Sequence, residues 1–427
     1  MVTKIESGSF GNLTITALWN PHKYRITYDL KYKREAKNPN VYYSYNTDSE
    51  ITLKDASFDE YHVFKGWYLD PEFENKIEVI QGSLMEDITL YAKWDFKGTY
   101  ISSRSDFKKI AYNPSGAYEL TEDIVISAGV CDSSNPFKGY FYGQDNTLYG
   151  AQPFGVIDKT ATVRNVKVSK YALADTNKGY VYLCVGNNGL VTTNSGTIES
   201  SASNGGFVYT TLYDNGAYEY VAGLVATNTG TIIGCYSSTT INVEANSGGG
   251  LVGINKGTIS DSYFRGTLRI QRAYPVAAGI AANGSTGSII NCYSTGAVWG
   301  IAKPTGTGPY ANSSFGISAG IVGDQSSSTI IKNSFSCAEA SAGISVAKYG
   351  TLSVYKCYYA SDLCDYARAI YDYNGIKNKY SGAGYGIGTN SSNFKSASFV
   401  KNTLGWTSEY WSLSDGRLPK LKCENIL

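Results

Sequence analysis

Gly189-Leu-Val…Asn194-Ser-Gly-Thr-Ile198, Gly223-Leu-Val…Asn228-Thr-Gly-Thr-Ile232 and Gly250-Leu-Val…Asn255-Lys-Gly-Thr-Ile259 are three copies of one kernel, and that kernel decides the fold. Looser copies begin at Gly279-Ile-Ala, Gly320-Ile-Val and Gly343-Ile-Ser, so the glycines recur at offsets of 34, 27, 29, 41 and 23 residues. A constant kernel at variable spacing describes coils whose packed strands are alike while their loops differ, which is how a β-solenoid behaves and a helical repeat does not. Each part of the kernel has a physical job. The glycine permits a close-packed bend, the aliphatic pair faces inward, and Asn-x-Gly makes a turn because both residues tolerate left-handed backbone. Stacked coils lie about 4.8 Å apart, so Asn194, Asn228 and Asn255 are expected to form a ladder of side-chain amides.

Two further columns follow each kernel. Ser201, Cys235, Ser262, Cys292, Ser334 and Cys357 fall in step, and next to them run Tyr236, Tyr263, Tyr293, Phe335 and Tyr358, with Ala202 as the exception. The kernel resembles the GLUG motif, which Gly250-Leu-Val-Gly253 fits best; that resemblance implies a parallel β-helix of the kind found in large secreted and surface proteins of bacteria. The expectation is an all-β chain in which residues 97–427 form a right-handed parallel β-helix of nine or ten coils. Ser105-Asp-Phe-Lys-Lys-Ile-Ala111 reads as a short helix covering the first coil, and Trp406 to Leu421 as the closure of the last, since a bare strand edge recruits other chains.

The first hundred residues follow a different repeat. Ile5 to Trp19 aligns with Ile80 to Trp94, the two tryptophans lying 75 residues apart, so residues 1–20 read as the end of a truncated repeat and residues 21–96 as a complete one. Gly66-Trp67-Tyr68, Asp70-Pro71, Phe73 and Ala92-Lys-Trp94 carry a resemblance to the Listeria–Bacteroides (internalin B-repeat) family, which implies a β-grasp-like surface module acting as spacer or adhesive repeat. The insert Lys31 to Asn40 departs from that pattern and reads as a longer loop. Trp67 and Trp94 are taken as core residues in preference to sugar-stacking platforms.

Composition narrows the function. Lys+Arg 37 against Asp+Glu 36 leaves a formal charge of +1, unlike the concentrated basic surface of a nucleic-acid binder. No stretch approaches the ~18 apolar residues of a membrane helix, and neither a signal peptide at the start nor a sorting signal at the end is evident. His22 and His62 are the two histidines, which leaves the solenoid without a His-based triad or zinc site. No metal or cofactor is expected. Gly382 to Gly388 lacks the Lys-Ser/Thr of a phosphate loop. Cys235, Cys292 and Cys357 alternate with serines, roughly 10 Å apart, beyond the ~7 Å that a disulfide spans; the pairing of Cys131, Cys184, Cys337, Cys364 and Cys423 stays open.

A polysaccharide lyase or hydrolase would need clustered acids on neighbouring coils. Asp261 shares a turn column with Gly234, Asn291 and Asn333, Asp324 sits in a Gly-Asp-Gln turn, and Asp362 and Asp365 lie in one variable loop, so structural use is preferred for each. The expected function is non-catalytic: an extracellular, monomeric, adhesin-like protein offering a Tyr-rich face to a glycan or protein ligand, with a purely structural stalk as the other alternative. The insert Trp299 to Ser318, with Pro304, Pro309 and Tyr310, is the expected binding loop, and Trp299 and Tyr310 are its candidate ligand residues.

Overall fold

The computed structural model describes Gly8, Gly11, Asn12, Thr14 and residues 20–31, 35–272, 275–284, 286–302, 316–324, 329–347, 352–364, 369–372 and 385–427. Most of the truncated first repeat, together with Tyr310 and Asp365, lies outside these residues. Strand outweighs helix, 49% against 8%, so the chain is all-β. It divides into two compact units, Met1–Lys97 and Gly98–Leu427.

In the first unit, Tyr24–Asp29 runs parallel to Ile88–Phe96, and His62–Tyr68 runs antiparallel to the latter with an irregularity between Phe64 and Gly66. Gly66 has a φ of 128° there, a conformation that favours glycine. Trp67 and Trp94 are both buried. Their indole N–H groups donate to the carbonyls of Lys54 (2.9 Å) and Leu30 (3.0 Å), as buried indoles require, so both tryptophans are core. Asp70 accepts from the backbone N–H of Glu74 and Asn75, which closes the turn of the Asp-Pro segment.

In the second unit the described strands form three long sheets whose coil-to-coil pairing is parallel, the first running from Thr99–Ile101 to Leu352–Tyr355, the second from Ile124–Val125 to Ile387–Thr389 and the third from Phe154–Ile157 to Ile370–Asp372, an arrangement consistent with a β-solenoid. The kernels occupy one column of the third sheet, where Val191, Val225, Val252, Ala281, Val322 and Ser345 are successive partners. The kernel glycines are demanded by close approach. A Cβ on Gly223, Gly250, Gly279 or Gly320 would stand 2.2–2.3 Å from the carbonyl oxygen of the kernel glycine one coil on. The amide ladder is present and one rung longer than the kernel predicts. Asn177 donates to Asn194 at 2.8 Å, Asn194 to Asn228 at 2.8 Å, and Asn228 to Asn255 at 2.9 Å.

From the first sheet to the second, the chain turns through a single left-handed residue in eight successive coils: Asn165, Leu183, Ser200, Gly234, Asp261, Asn291, Asn333 and Lys356, with φ between 46° and 63°. Left-handed backbone disfavours residues other than Gly by about 1–2 kcal/mol, and Asn and Asp offset this with local side-chain bonds. Here Asn333 donates to Asn291 and Asn291 to Asp261. The next column points inward. The backbone N–H groups of Cys184, Cys235 and Cys292 donate to the hydroxyls of Ser201, Ser262 and Ser334 at 3.0–3.1 Å. Cys184 is thus a further member of the cysteine–serine ladder. Cys131, Cys184, Cys235, Cys292, Cys337, Cys357 and Cys423 are buried free thiols, and burial pushes the Cys184 thiol up to about 12, which leaves it protonated and unreactive at neutral pH. Cys364 is buried too, its thiol donating to the Ser341 carbonyl.

Arg104–Lys109 forms the expected helix, capped by Ser103, whose hydroxyl accepts from the Asp106 N–H. Phe107 and Ile110 bury themselves against the first coils. The other end differs from expectation. Trp406 to Leu421 does not close the last coil but belongs to a segment that returns along the flank as a strap. The Trp406 indole donates to the Asn333 carbonyl (2.6 Å), the Trp411 indole to the Asp261 carboxylate (3.0 Å), Cys423 to the Gly234 carbonyl (3.4 Å) and the Tyr410 hydroxyl to Glu199 (3.2 Å). The reason is the aromatic column. Tyr236, Tyr263, Tyr293 and Phe335 stack at 4.8–5.3 Å on the outer side of the second sheet, an apolar stripe that water would otherwise meet. The strap covers it with Phe394, Trp406 and Trp411. The expected Tyr-rich binding face is therefore closed along this column: Tyr236, Tyr263 and Tyr293 are all buried.

Candidate ligand-binding surface

Beyond the strap, three ten-residue strands widen the second sheet: Thr240–Gly249, Tyr263–Arg272 and Tyr293–Ala302. Their alternation is plain in Phe264, Leu268 and Ile270, which enter the core, while Arg265, Thr267, Arg269 and Gln271 keep contact with solvent. Trp299, expected in a loop, lies within the third of these strands because its neighbours continue the pairing as far as Arg272 with Ala302. It stands opposite Arg269, which in turn stands opposite Asn242. The Arg269 guanidinium lies over the Trp299 ring, 5.1 Å from its centroid, and Gln271 donates to Asn242 at 2.9 Å.

A hairpin of Val208–Tyr209 and Tyr218–Ala222 pairs with residues 245–249, the second half of the first of these strands. Its turn closes with the Tyr213 N–H on the Ala217 carbonyl and leaves Tyr209, Leu212 and Tyr213 exposed. Arg272 lies over the Tyr213 ring at 5.4 Å. One strand thus carries two guanidinium groups, each over an aromatic ring but on opposite faces, Arg269 with Gln271 and Arg272 with Leu268 and Ile270. Cation–π contact fixes the plane of a guanidinium and leaves its edge donors available. Arg269 Nε and Arg272 Nη1 are buried with no hydrogen-bond partner among the described residues. Arg265 differs: it is paired with Glu424 at 3.0 Å, and it lines a cleft of about 440 Å³ with Arg417 and Lys420 beside the strap.

Of the two ligand residues expected from sequence, Trp299 is on this surface and Tyr310 lies outside the described residues. Arg269, Asn242 and Gln271, on the same face as Trp299, were missed. The alternation of residues 264–271 signals which of them face out, but the register that sets Arg269 against Trp299 has no local signal.

The candidate acids are not brought together. Asp261 is at the corner between the first and second sheets, Asp324 ends a strand of the third sheet opposite Asn283, so it is not the turn residue expected, and Asp362 accepts from the N–H and hydroxyl of Ser391. Among the described residues no three His, Cys, Asp or Glu side chains are placed to hold a metal. Asp261 is buried, and this desolvation raises its carboxyl pKa against the opposing pull of the Asn291 and Trp411 donors. An acid whose pKa is raised in the native state contributes stability that is full below its unfolded pKa and lost as pH rises through the native one. Asp261→Asn keeps an oxygen for both donors and removes the buried charge. It is expected to be at least as stable as the parent at pH 7, with the difference shrinking on acidification; urea midpoints at pH 7 and pH 4.5 check this.

Residues 24–93 match the family model of the Listeria–Bacteroides repeat domain, a repeat of bacterial surface proteins. Among solved structures, a candidate immunoglobulin A1 protease from Bacteroides ovatus aligns over 76% of this chain and 94% of its own, at 17% identity and a TM-score of 0.35. No curated protein matches. Among the described residues no helix is long and apolar enough to cross a membrane. An all-β protein of long parallel sheets joined to a Listeria–Bacteroides repeat is the class that these findings define.

Proposed function

We propose that the chain is a binding module of a bacterial cell-surface or secreted protein, in which the Listeria–Bacteroides repeat is a spacer. The GLUG-like coils wind as a right-handed parallel β-helix that presents a glycan or protein ligand without cleaving it. One observation carries this: the aromatic column of the second sheet is covered by the strap, whereas farther along the same strands Trp299 and the stacked Arg269 remain at the surface. A side chain as apolar as Trp, left partly open on a rigid sheet beside amides and hydroxyls, suits a ligand that needs both stacking and hydrogen bonds.

The test incubates the purified chain with immobilised acidic and neutral polysaccharides and follows retention together with release of new reducing or unsaturated ends. Retention without new ends, weakened about tenfold by Trp299→Ala, is the expected result. New ends that accumulate with time would replace binding by cleavage. Retention of nothing would leave a protein ligand or a structural stalk.

A further inference from the structure

The geometry points to a second binding site: the cleft beside the strap takes a phosphate monoester carried on a small polyhydroxylated ligand. It is separate from the Trp299 surface and does not rest on the function proposed there.

Arg265 and Thr295, opposite each other on neighbouring strands, line the cleft from the second sheet, and Arg417 and Lys420 line it from the strap. Its volume of about 440 Å³ falls in the range of about 300–1,000 Å³ that small-ligand sites occupy. Trp299 lies four residues beyond Thr295 on the same strand, about 13 Å along it. Bonds that leave the cations free hold the cleft in shape. The Tyr293 hydroxyl donates to the Pro419 carbonyl at 2.7 Å. The strap turn is tied back by the Gly416 N–H on the Lys395 carbonyl and by the Ala397 N–H on Asp415. The Arg265 guanidinium lies over the rings of Tyr236 and Tyr263, 5.4 and 5.7 Å from their centroids, which sets its plane.

Charge selects the ligand. Three cationic side chains line the cleft against one carboxylate, that of Glu424. The Glu424 side chain is 3% exposed and already bonded, Oε1 by the Leu421 N–H and Oε2 by Arg265. That pairing accounts for Arg265 and leaves the charges of Arg417 and Lys420 uncompensated within the cleft. Lys420 donates to the neutral amide oxygen of Asn425, which engages one of its three donors and cancels no charge. Arg417 is exposed and has no hydrogen-bond or acidic partner among the described residues. Asp415, close by in sequence, does not line the cleft. Three cations less one carboxylate leave a net of two positive charges, which matches a dianion. A phosphate monoester carries about −1.5 to −2 at pH 7 and three strong acceptor oxygens, whereas a carboxylate or a sulfate ester brings a single charge. The hydroxyls of Thr295, Ser412 and Ser414 line the same cleft and bond to nothing else among the described residues. They suit the hydroxyl groups of the ligand's body.

The experiment titrates the full chain calorimetrically with glucose 6-phosphate, glucose 6-sulfate, glucuronate and glucose. Glucose 6-phosphate is expected to bind most tightly and glucose not at all, with affinity falling as salt rises. Affinity should rise between about pH 5 and pH 7.5, as the ester loses its second proton near pH 6. No histidine lines the cleft, so that rise reports the ligand. Arg417→Gln and Lys420→Gln are each expected to weaken binding about tenfold, the scale of one hydrogen bond to a charged group. Should Lys420→Gln loosen the strap, read as lost hydrogen-exchange protection over residues 405–427, Arg417→Gln alone carries the test, since Arg417 supports nothing else. Failure of every ligand to bind, equal affinity for glucose 6-phosphate and glucose, or affinity unchanged in both variants overturns the site. Preference for glucuronate or glucose 6-sulfate overturns the phosphate assignment. Loss of binding in Trp299→Ala but not in Arg417→Gln would move the ligand to the Trp299 surface, and this inference would fall while the proposed function stands.

Discussion

Replacing Trp411 with alanine is expected to destabilise the strap by about 4 kcal/mol, within the range for deleting a buried large aromatic. Trp411 is 1% exposed and stacks on Trp406 at 4.5 Å, with Tyr293 at 5.8 Å and Tyr263 at 6.2 Å. Its indole also supplies one of the donors to the buried carboxylate of Asp261, so the substitution removes packing and leaves an under-satisfied charge at once. Trp411→Phe separates the two contributions. It keeps a ring over the column and loses the donor, for an expected effect of about 1–2 kcal/mol. Because each coil of a solenoid contacts only its neighbours, a single global unfolding energy is a poor readout. Hydrogen exchange is the measurement: amides of residues 390–427 should lose protection in Trp411→Ala while those of the first coils keep it. Uniform loss across both regions would mean that strap and coils unfold as one unit; unchanged protection would show that the strap does not depend on Trp411.

The coil-to-coil order was legible in the sequence because it is enforced at every turn by residues that few others could replace. The kernel glycines leave no room for a Cβ, and the asparagines need identical neighbours one coil away to satisfy their amides. Both constraints repeat, so both appear as periodicity. The strap does not repeat. Trp406 and Trp411 read equally well as an end cap, since a tryptophan-rich terminal segment needs an apolar surface in either case; only the outward direction of the Tyr236–Phe335 column decides which surface it finds. The ligand surface was half legible for a similar reason. Trp299 was singled out by its place at the start of a long insert, whereas Arg269 gains meaning only from cross-strand register. Asp261 was read as a turn residue and is one, its carboxylate completing the side-chain bonds of the left-handed column from Asn333 through Asn291.

The amide ladder offers the second large effect and a comparison internal to the fold. Asn228 is an interior rung: it accepts from Asn194, donates to Asn255, and its amide also approaches the carbonyls of Gly230 and Thr258. Asn228→Ala leaves the buried Asn255 Oδ1 without its ladder donor and deprives Asn194 of its ladder acceptor. At about 1–3 kcal/mol for each buried polar group left unsatisfied, the expected loss is about 3 kcal/mol. Asn177 is the first rung, bonded to one ladder neighbour and to the Gly179 N–H, so Asn177→Ala should lose roughly half as much. Equal losses at the two positions would show that the ladder bonds do not set the cost, whereas a ratio well above two would show that the bonds of an interior rung reinforce one another. Asn228→Asp tests the direction of the bonds. The carboxylate still accepts from Asn194 but sets an anionic oxygen against Asn255 Oδ1, where a donor is needed. The variant carboxyl should therefore titrate with a raised native pKa, its contribution to stability being full below the unfolded carboxylate pKa of about 3.9 and lost as pH rises through the native value. Urea unfolding followed by exchange at the coils around residue 228 should find Asn228→Asp close to the parent in acid and far less stable at pH 7, while Asn228→Ala stays destabilised at both.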